Sequence, residues 1–72
     1  MNVAQLIQEL QKHDPAKMVV IRGYESGVDE VNTVEEIRLD LNVNSDWWYG
    51  AHQKSDSGEC QAIHIGFKRE DN

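Results

Sequence analysis

The residues best suited to chemistry lie in one stretch, Asn42 to His52, which contains the consecutive aromatic residues Trp47, Trp48 and Tyr49. The whole chain has two Trp, two Tyr and one Phe. Successive side chains of a strand point to opposite faces, so a single small core cannot take all three rings. We therefore expect at least one ring at a surface, an interface or a ligand pocket, where it can stack on a planar group such as a nucleobase.

Polar side chains flank these rings. Asn42 and Asn44 carry amide donors and acceptors that could read the edge of a base, and His52 could form a hydrogen bond to the same ligand. An ordinary dimer interface is the other interpretation of the cluster, because Trp and Tyr are also enriched where proteins associate.

A second candidate stretch is Gly23-Tyr24-Glu25-Ser26-Gly27, preceded by Arg22. The two glycines indicate a loop. It lacks the glycine pattern of a phosphate-binding loop, and Glu25 would repel a phosphate. Tyr24 could stack on a ligand, Glu25 could accept hydrogen bonds, and Arg22 could meet a phosphate, as could Arg38, Lys68 and Arg69. A plain connection with a packed tyrosine is the alternative.

No motif indicates catalysis or a bound cofactor. Asp46, His52, Glu25 and His64 supply acids and bases, but no nucleophile motif links them. The single cysteine, Cys60, excludes an intrachain disulfide. The spacing of the cysteine and the histidines matches no zinc site. We therefore predict a protein that is not an enzyme and needs no metal or cofactor.

Charge and length restrict the partners. The net charge of −6 argues against a nucleic-acid groove. No apolar run approaches the length of a membrane span, and the first residues lack the basic-then-apolar order of a signal peptide. Together with the free thiol, this leads us to expect a cytoplasmic location. A chain of 72 residues makes one small domain, residues 1–72, whose core is marginal. We therefore expect self-association, most simply as a homodimer, to add to the stability that this marginal core provides.

Hydrophobic periodicity predicts the elements that position these residues. Asn2 to Gln11 predicts a helix with Val3, Leu6, Ile7 and Leu10 on one face, an Asn2–Gln5 capping box and an end before Asp14-Pro15. Strands are expected at Met18–Arg22, over the alternating residues from Val34 to Asn44, and at Gln61–Lys68. The first strand is expected to be central in the sheet. Lys54–Glu59 is expected to form a mobile loop, and Arg69–Asn72 is expected to be a frayed tail. The predicted fold is α+β, with one N-terminal helix packed on a three-stranded, mostly antiparallel sheet.

Several of these residues together form a recognisable pattern. They are Leu6-Ile7, Leu10, Asp14-Pro15, Val19-Val20-Ile21, Gly23 to Gly27, Asp29, Leu41 to Asn44, Trp48-Tyr49-Gly50 and His52. The pattern resembles small proteins of bacteriophages, prophages and proteobacteria that have no settled activity. The resemblance implies a phage setting, in which accessory proteins of this size include anti-defence proteins that sequester nucleotide-derived immune signals.

These observations lead to one functional hypothesis and one alternative. We expect a non-enzymatic binding protein that captures a nucleotide-type signalling molecule through Arg22, Tyr24, Glu25, Asn42, Asn44, Trp47, Trp48, Tyr49 and His52, with the pocket shared between subunits. The alternative is a protein inhibitor or interaction module that acts on a host factor through the Trp47 to Tyr49 surface.

Overall fold

The computed structural model describes residues 1–69, which form one helix and five strands. Residues 70–72 of the predicted tail lie outside the described residues. The elements are α1 (Val3–Leu10), β1 (Val20–Arg22), β2 (Val28–Glu30), β3 (Thr33–Asp40), β4 (Gln53–Lys54) and β5 (Cys60–Gly66). One short N-terminal helix with mostly antiparallel strands confirms the predicted α+β class.

The chain divides into two compact units. Among the described residues, the first contains Met1–Asn32 and residues 66–69, and the second contains Thr33–Ile65. The first unit holds α1, β1 and β2, and the second holds β3, β4 and nearly all of β5. Among the described residues no hydrophobic side chain is buried, and the buried positions are Gly58 and Gly66.

Helix α1 begins where the sequence predicts. The Asn2 side chain accepts a hydrogen bond from the Gln5 N–H at 2.9 Å, and the Gln5 side chain accepts one from the Asn2 N–H at 2.8 Å. This pair of contacts confirms the capping box, which satisfies two N–H groups that have no partner inside the helix. The helix ends at Leu10. In the turn that follows, the Ala16 N–H donates a hydrogen bond to Oδ1 of Asp14 at 2.9 Å.

The first unit also contains a two-stranded sheet. Strands β1 and β2 are antiparallel, with Val20 opposite Glu30 and Arg22 opposite Val28. The prediction of Met18–Arg22 as a central strand is wrong, because β2 is its neighbour in a sheet of two strands. The sequence missed β2 because it is three residues long and two of them, Asp29 and Glu30, are poor strand formers.

The three-stranded sheet lies in the second unit, with the order β4-β3-β5. Two of its strands, β3 and β5, correspond to predicted strands, whereas β4 takes the place expected for β1. Strand β3 ends at Asp40 rather than continuing to Asn44. Asn42 has a φ of 55°, a left-handed conformation that cannot continue an extended strand. Leu41 and Val43, expected on the core face, are accordingly 52% and 56% exposed.

The connection from Lys54 to Glu59, predicted to be a mobile loop, lies against β3. The Ser55 N–H donates to the Arg38 carbonyl at 3.0 Å, and the Gly58 N–H donates to the Ser55 carbonyl at 3.0 Å. Gly58 is buried against the backbone of Leu39. This contact fixes the connection beside the end of β3 from which the aromatic residues follow.

Candidate functional site

The candidate site is the loop Leu41–His52, called here the aromatic loop. It connects β3 to β4, which pair in antiparallel register with Leu39 opposite Lys54 and Asp40 opposite Gln53. Because this register brings the two ends of the loop together, the aromatic loop is the closed end of a hairpin in the second unit.

Hydrogen bonds join the two sides of the aromatic loop near its base. The Asn42 N–H donates to Nδ1 of His52 at 3.0 Å, and the Asn44 N–H donates to the Ala51 carbonyl at 3.1 Å. The side-chain amide of Asn44 donates to the Gly50 carbonyl at 2.9 Å and lies 3.3 Å from Oε1 of Gln53. These contacts take the place of strand pairing between the two sides of the loop.

The aromatic rings lie at the tip of this loop. The Tyr49 N–H donates to the Asp46 carbonyl at 3.1 Å, which closes a turn containing both tryptophans. The rings of Trp47 and Trp48 meet edge to face, with centroids 5.7 Å apart and planes at 86°. Trp47 is 89% exposed, Trp48 64% and Tyr49 60%. The expectation that at least one ring lies at the surface is thus confirmed, and all three do.

The polar residues of the loop have structural roles that the sequence did not indicate. The Nδ2 group of Asn44 and the Nδ1 atom of His52 are engaged within the loop. Asn42 adopts a left-handed backbone conformation two residues after the end of β3. Their predicted contacts with a ligand stay predictions. Oδ1 of Asn44 and Nε2 of His52 take no part in these hydrogen bonds.

The other predicted residues lie in the first unit, with Arg22 at the end of β1 and Tyr24 and Glu25 in the connection to β2. The Gly23 N–H donates to the Gly27 carbonyl at 2.9 Å, and Glu25 has a φ of 58°. Tyr24 is 89% exposed. Arg22 and Glu25 line a shallow groove of about 410 Å³. The structure therefore divides the predicted residues into two clusters, one in each unit.

A groove of about 510 Å³ begins where β3 meets the aromatic loop. Its lining includes the apolar side chains of Leu41 and Val43 and the carboxylates of Asp40 and Glu59, with no Lys or Arg. Carboxylates accept hydrogen bonds from hydroxyl and amino groups and repel phosphate. This groove suits the sugar or base of a nucleotide better than its phosphates.

Positive charge is scarce in the second unit. Its basic residues are Arg38 and Lys54, which line a further groove together with Glu35, Glu36 and Asp56. Within residues 1–69, no three His, Cys, Asp or Glu side chains lie where they could hold a metal ion. In the same part of the chain, no helix is both long and apolar enough to cross a membrane.

The chain matches no protein-family model, no curated protein and no solved structure at a significant level.

Proposed function

We propose that this chain is a non-enzymatic binding protein that captures a nucleotide-derived signalling molecule on the aromatic loop. In the setting implied by the phage-type residue pattern, it would act in the host cytoplasm and withdraw an immune signal from bacterial defence. One observation carries the proposal. The aromatic loop is held by hydrogen bonds at its base while Trp47, Trp48 and Tyr49 stay exposed at its tip.

A fixed loop with exposed rings favours stacking. Because hydrogen bonds already join the two sides of the loop, a ligand that stacks on it loses less affinity to the ordering of the backbone. Stacking of a base on an aromatic side chain contributes about 1–3 kcal/mol. The acidic groove beside Leu41 and Val43 favours a ribose or an exocyclic amino group there. The two basic residues that flank the aromatic loop in sequence, Arg38 and Lys54, are the candidates for a phosphate.

The test is a ligand screen with the native protein. Small molecules released from it are identified by mass spectrometry, and cyclic oligonucleotides and ADP-ribose derivatives are added in thermal-shift and Trp-fluorescence titrations. A ligand at 100 times its Kd stabilises the protein by about 2.7 kcal/mol, a rise in Tm of about 10–20 °C. Absence of any bound molecule, shift or quenching would refute the proposal.

Variants of the loop locate the site. Trp48→Ala is expected to raise the Kd by about 5- to 150-fold if the ring stacks on a base. Val34→Ala is the matched control, because Val34 is 68% exposed on β3 of the same unit and outside the loop. Equal weakening by both variants would contradict the assignment. A ligand recovered chemically altered would indicate an enzyme.

A second candidate is a protein inhibitor that binds a host factor through the same rings. The high exposure of Trp47 favours it, because an exposed Trp can act as an anchor that inserts into a pocket on the partner. Co-purification of a host protein with the native chain but not with Trp47→Ala, together with indifference to nucleotides, would favour this candidate over ligand capture.

A further inference from the structure

One contact of the aromatic loop depends on the protonation state of a histidine. The Asn42 N–H donates a hydrogen bond to Nδ1 of His52 at 3.0 Å. An imidazole nitrogen accepts a hydrogen bond only while it carries no proton, so in this contact His52 is neutral and its one ring proton lies on Nε2. Uptake of a second proton places a hydrogen on Nδ1 and leaves both ring nitrogens as donors. A protonated His52 therefore cannot accept from Asn42.

We propose that His52 makes the base of the aromatic loop sensitive to pH. Histidine is the side chain whose charge ordinarily changes between about pH 5 and pH 8. At the upper end of this range, the neutral ring joins the two sides of the loop through its hydrogen bond with Asn42. As the pH falls, the acceptor is lost, and a positively charged ring faces the Asn42 N–H, whose hydrogen also carries a partial positive charge. The base of the loop then becomes less ordered.

The position of this contact decides its effect on the loop. On one side of it lies the last pair of β3 and β4, Asp40 opposite Gln53. On the other side, the Asn44 N–H donates to the Ala51 carbonyl at 3.1 Å. Within the described chain, residues 1–69, the bond to His52 is the only hydrogen bond made by residues 41–43. Its loss removes the restraint between the end of β3 and the rings at the tip of the loop.

Other charges in the second unit influence the pH of this change but not its direction. The titratable and charged residues on the elements next to the loop are Arg38, Asp40, Asp46, Lys54, Glu59 and Cys60. Within residues 33–65, no carboxylate oxygen lies within 4.0 Å of a His52 nitrogen. Carboxylates favour a protonated ring and basic groups disfavour it, so these charges influence the midpoint. They cannot reverse the change, because a protonated Nδ1 has no lone pair for the Asn42 N–H.

The hydrogen bond and its loss in acid do not depend on a ligand. The consequence for binding rests on the proposed function, because a less ordered loop base adds an ordering cost to stacking on the rings. Capture should accordingly weaken in acid. The tests below follow the hydrogen bond itself, so their failure and the failure of nucleotide capture can be told apart.

The first test is NMR of the native protein, labelled with the heavy nitrogen isotope, between about pH 5 and pH 8. At the upper end, the ring of His52 should carry its proton on Nε2 and none on Nδ1. As the pH falls, the amide proton of Asn42 should shift toward the position of a free amide, with the same midpoint as the His52 ring. A proton on Nδ1 of the neutral ring, or an Asn42 amide that does not follow the His52 titration, would overturn the proposal.

Substitution separates His52 from the other histidines. His52→Asn places an acceptor that does not titrate, Oδ1, on Cγ, the same atom that carries Nδ1 in histidine. After correction for intrinsic exchange rates, protection of the Asn42 amide should fall by about 3- to 10-fold between about pH 8 and pH 5 in the native protein, and by less than about twofold in His52→Asn. His64→Asn, the same substitution on β5, should keep the native response.

Each other outcome also decides the question. Equal pH responses of the native protein and His52→Asn would show that a group other than His52 controls the loop, and loss of the response in His64→Asn would identify that group as His64. If His52→Asn loses the protection of Asn42 at both ends of the pH range, Oδ1 does not reach the amide, and the NMR titration of the native protein decides. For a ligand found in the screen, a Kd that does not rise in acid would refute the link to capture without affecting the hydrogen bond.

Discussion

Replacement of Gly58 by alanine should destabilise this protein more than other small surface changes. A Cβ atom at Gly58 would lie 2.6 Å from both the carbonyl carbon and the oxygen of Leu39, and 2.7 Å from its nitrogen. Real Cβ atoms do not approach so closely, and these are backbone atoms of a paired strand rather than a mobile side chain. Leu39 pairs with Lys54, so β3 cannot move away without disturbing that pair.

The size of the effect follows from these contacts. Overpacking costs about 1–3 kcal/mol, and loss of the Gly58 hydrogen bond to Ser55 adds about 1 kcal/mol. A total of about 2–4 kcal/mol is a large part of the stability of so small a protein. It corresponds to a fall in Tm of about 10–25 °C.

The assay is thermal and urea unfolding followed by far-UV circular dichroism, at one fixed protein concentration because association also shifts the Tm. Gly50→Ala is the control, since a Cβ atom at Gly50 has no neighbour within 4 Å and its φ is not positive. That variant should be neutral or more stable by up to about 1 kcal/mol. If Gly58→Ala unfolded within about 2 °C of the native protein, the close approach of Gly58 to Leu39 would be refuted.

Three further predictions follow from single contacts. Asn42→Ala should lower the free energy of unfolding by about 1 kcal/mol because Asn42 has a left-handed backbone conformation, whereas Asn42→Gly should not lower it. Equal urea midpoints for the two variants would contradict this. Asn32→Ala removes two hydrogen bonds, one from the Asn32 side chain to the Lys68 carbonyl at 2.9 Å and one from the Lys68 N–H to the Asn32 side chain at 2.8 Å. Hydrogen exchange at the Lys68 N–H should therefore accelerate by about tenfold. Asn32→Asp keeps the acceptor and should show a smaller change. Lys12→Ala should change the free energy of unfolding by less than about 0.5 kcal/mol in urea titrations, because the Lys12 side chain paired with Glu9 is 65% exposed; a larger loss would mean that the ion pair is stronger than its exposure suggests.

Local patterns in the sequence were sufficient to predict several elements. The apolar spacing of residues 3–10 and the Asn2–Gln5 pair gave the helix and its cap, because both depend on residues three or four positions apart. The alternating residues from Val34 gave most of β3, and Gln61–Lys68 gave most of β5. Three adjacent large rings were also enough to predict surface exposure of the aromatic stretch.

Pairing between strands needed the tertiary structure. The sequence does not say which segments meet, and the short acidic strand β2 and the two-residue strand β4 have no periodic signal. Strand β1 pairs with β2 in a separate two-stranded sheet, and the predicted ligand residues are divided between the two units. Neither fact could be read from the spacing of residues.

The sequence by itself determined the helix with its cap, the α+β class and the position of the aromatic rings, since each depends on residue types at short spacing. The tertiary structure decided that Asn44 and His52 hold the aromatic loop and that Gly58 lies against Leu39. The physical reason is that hydrogen bonds and close contacts between distant residues depend on the path of the chain in space, which residue spacing does not encode.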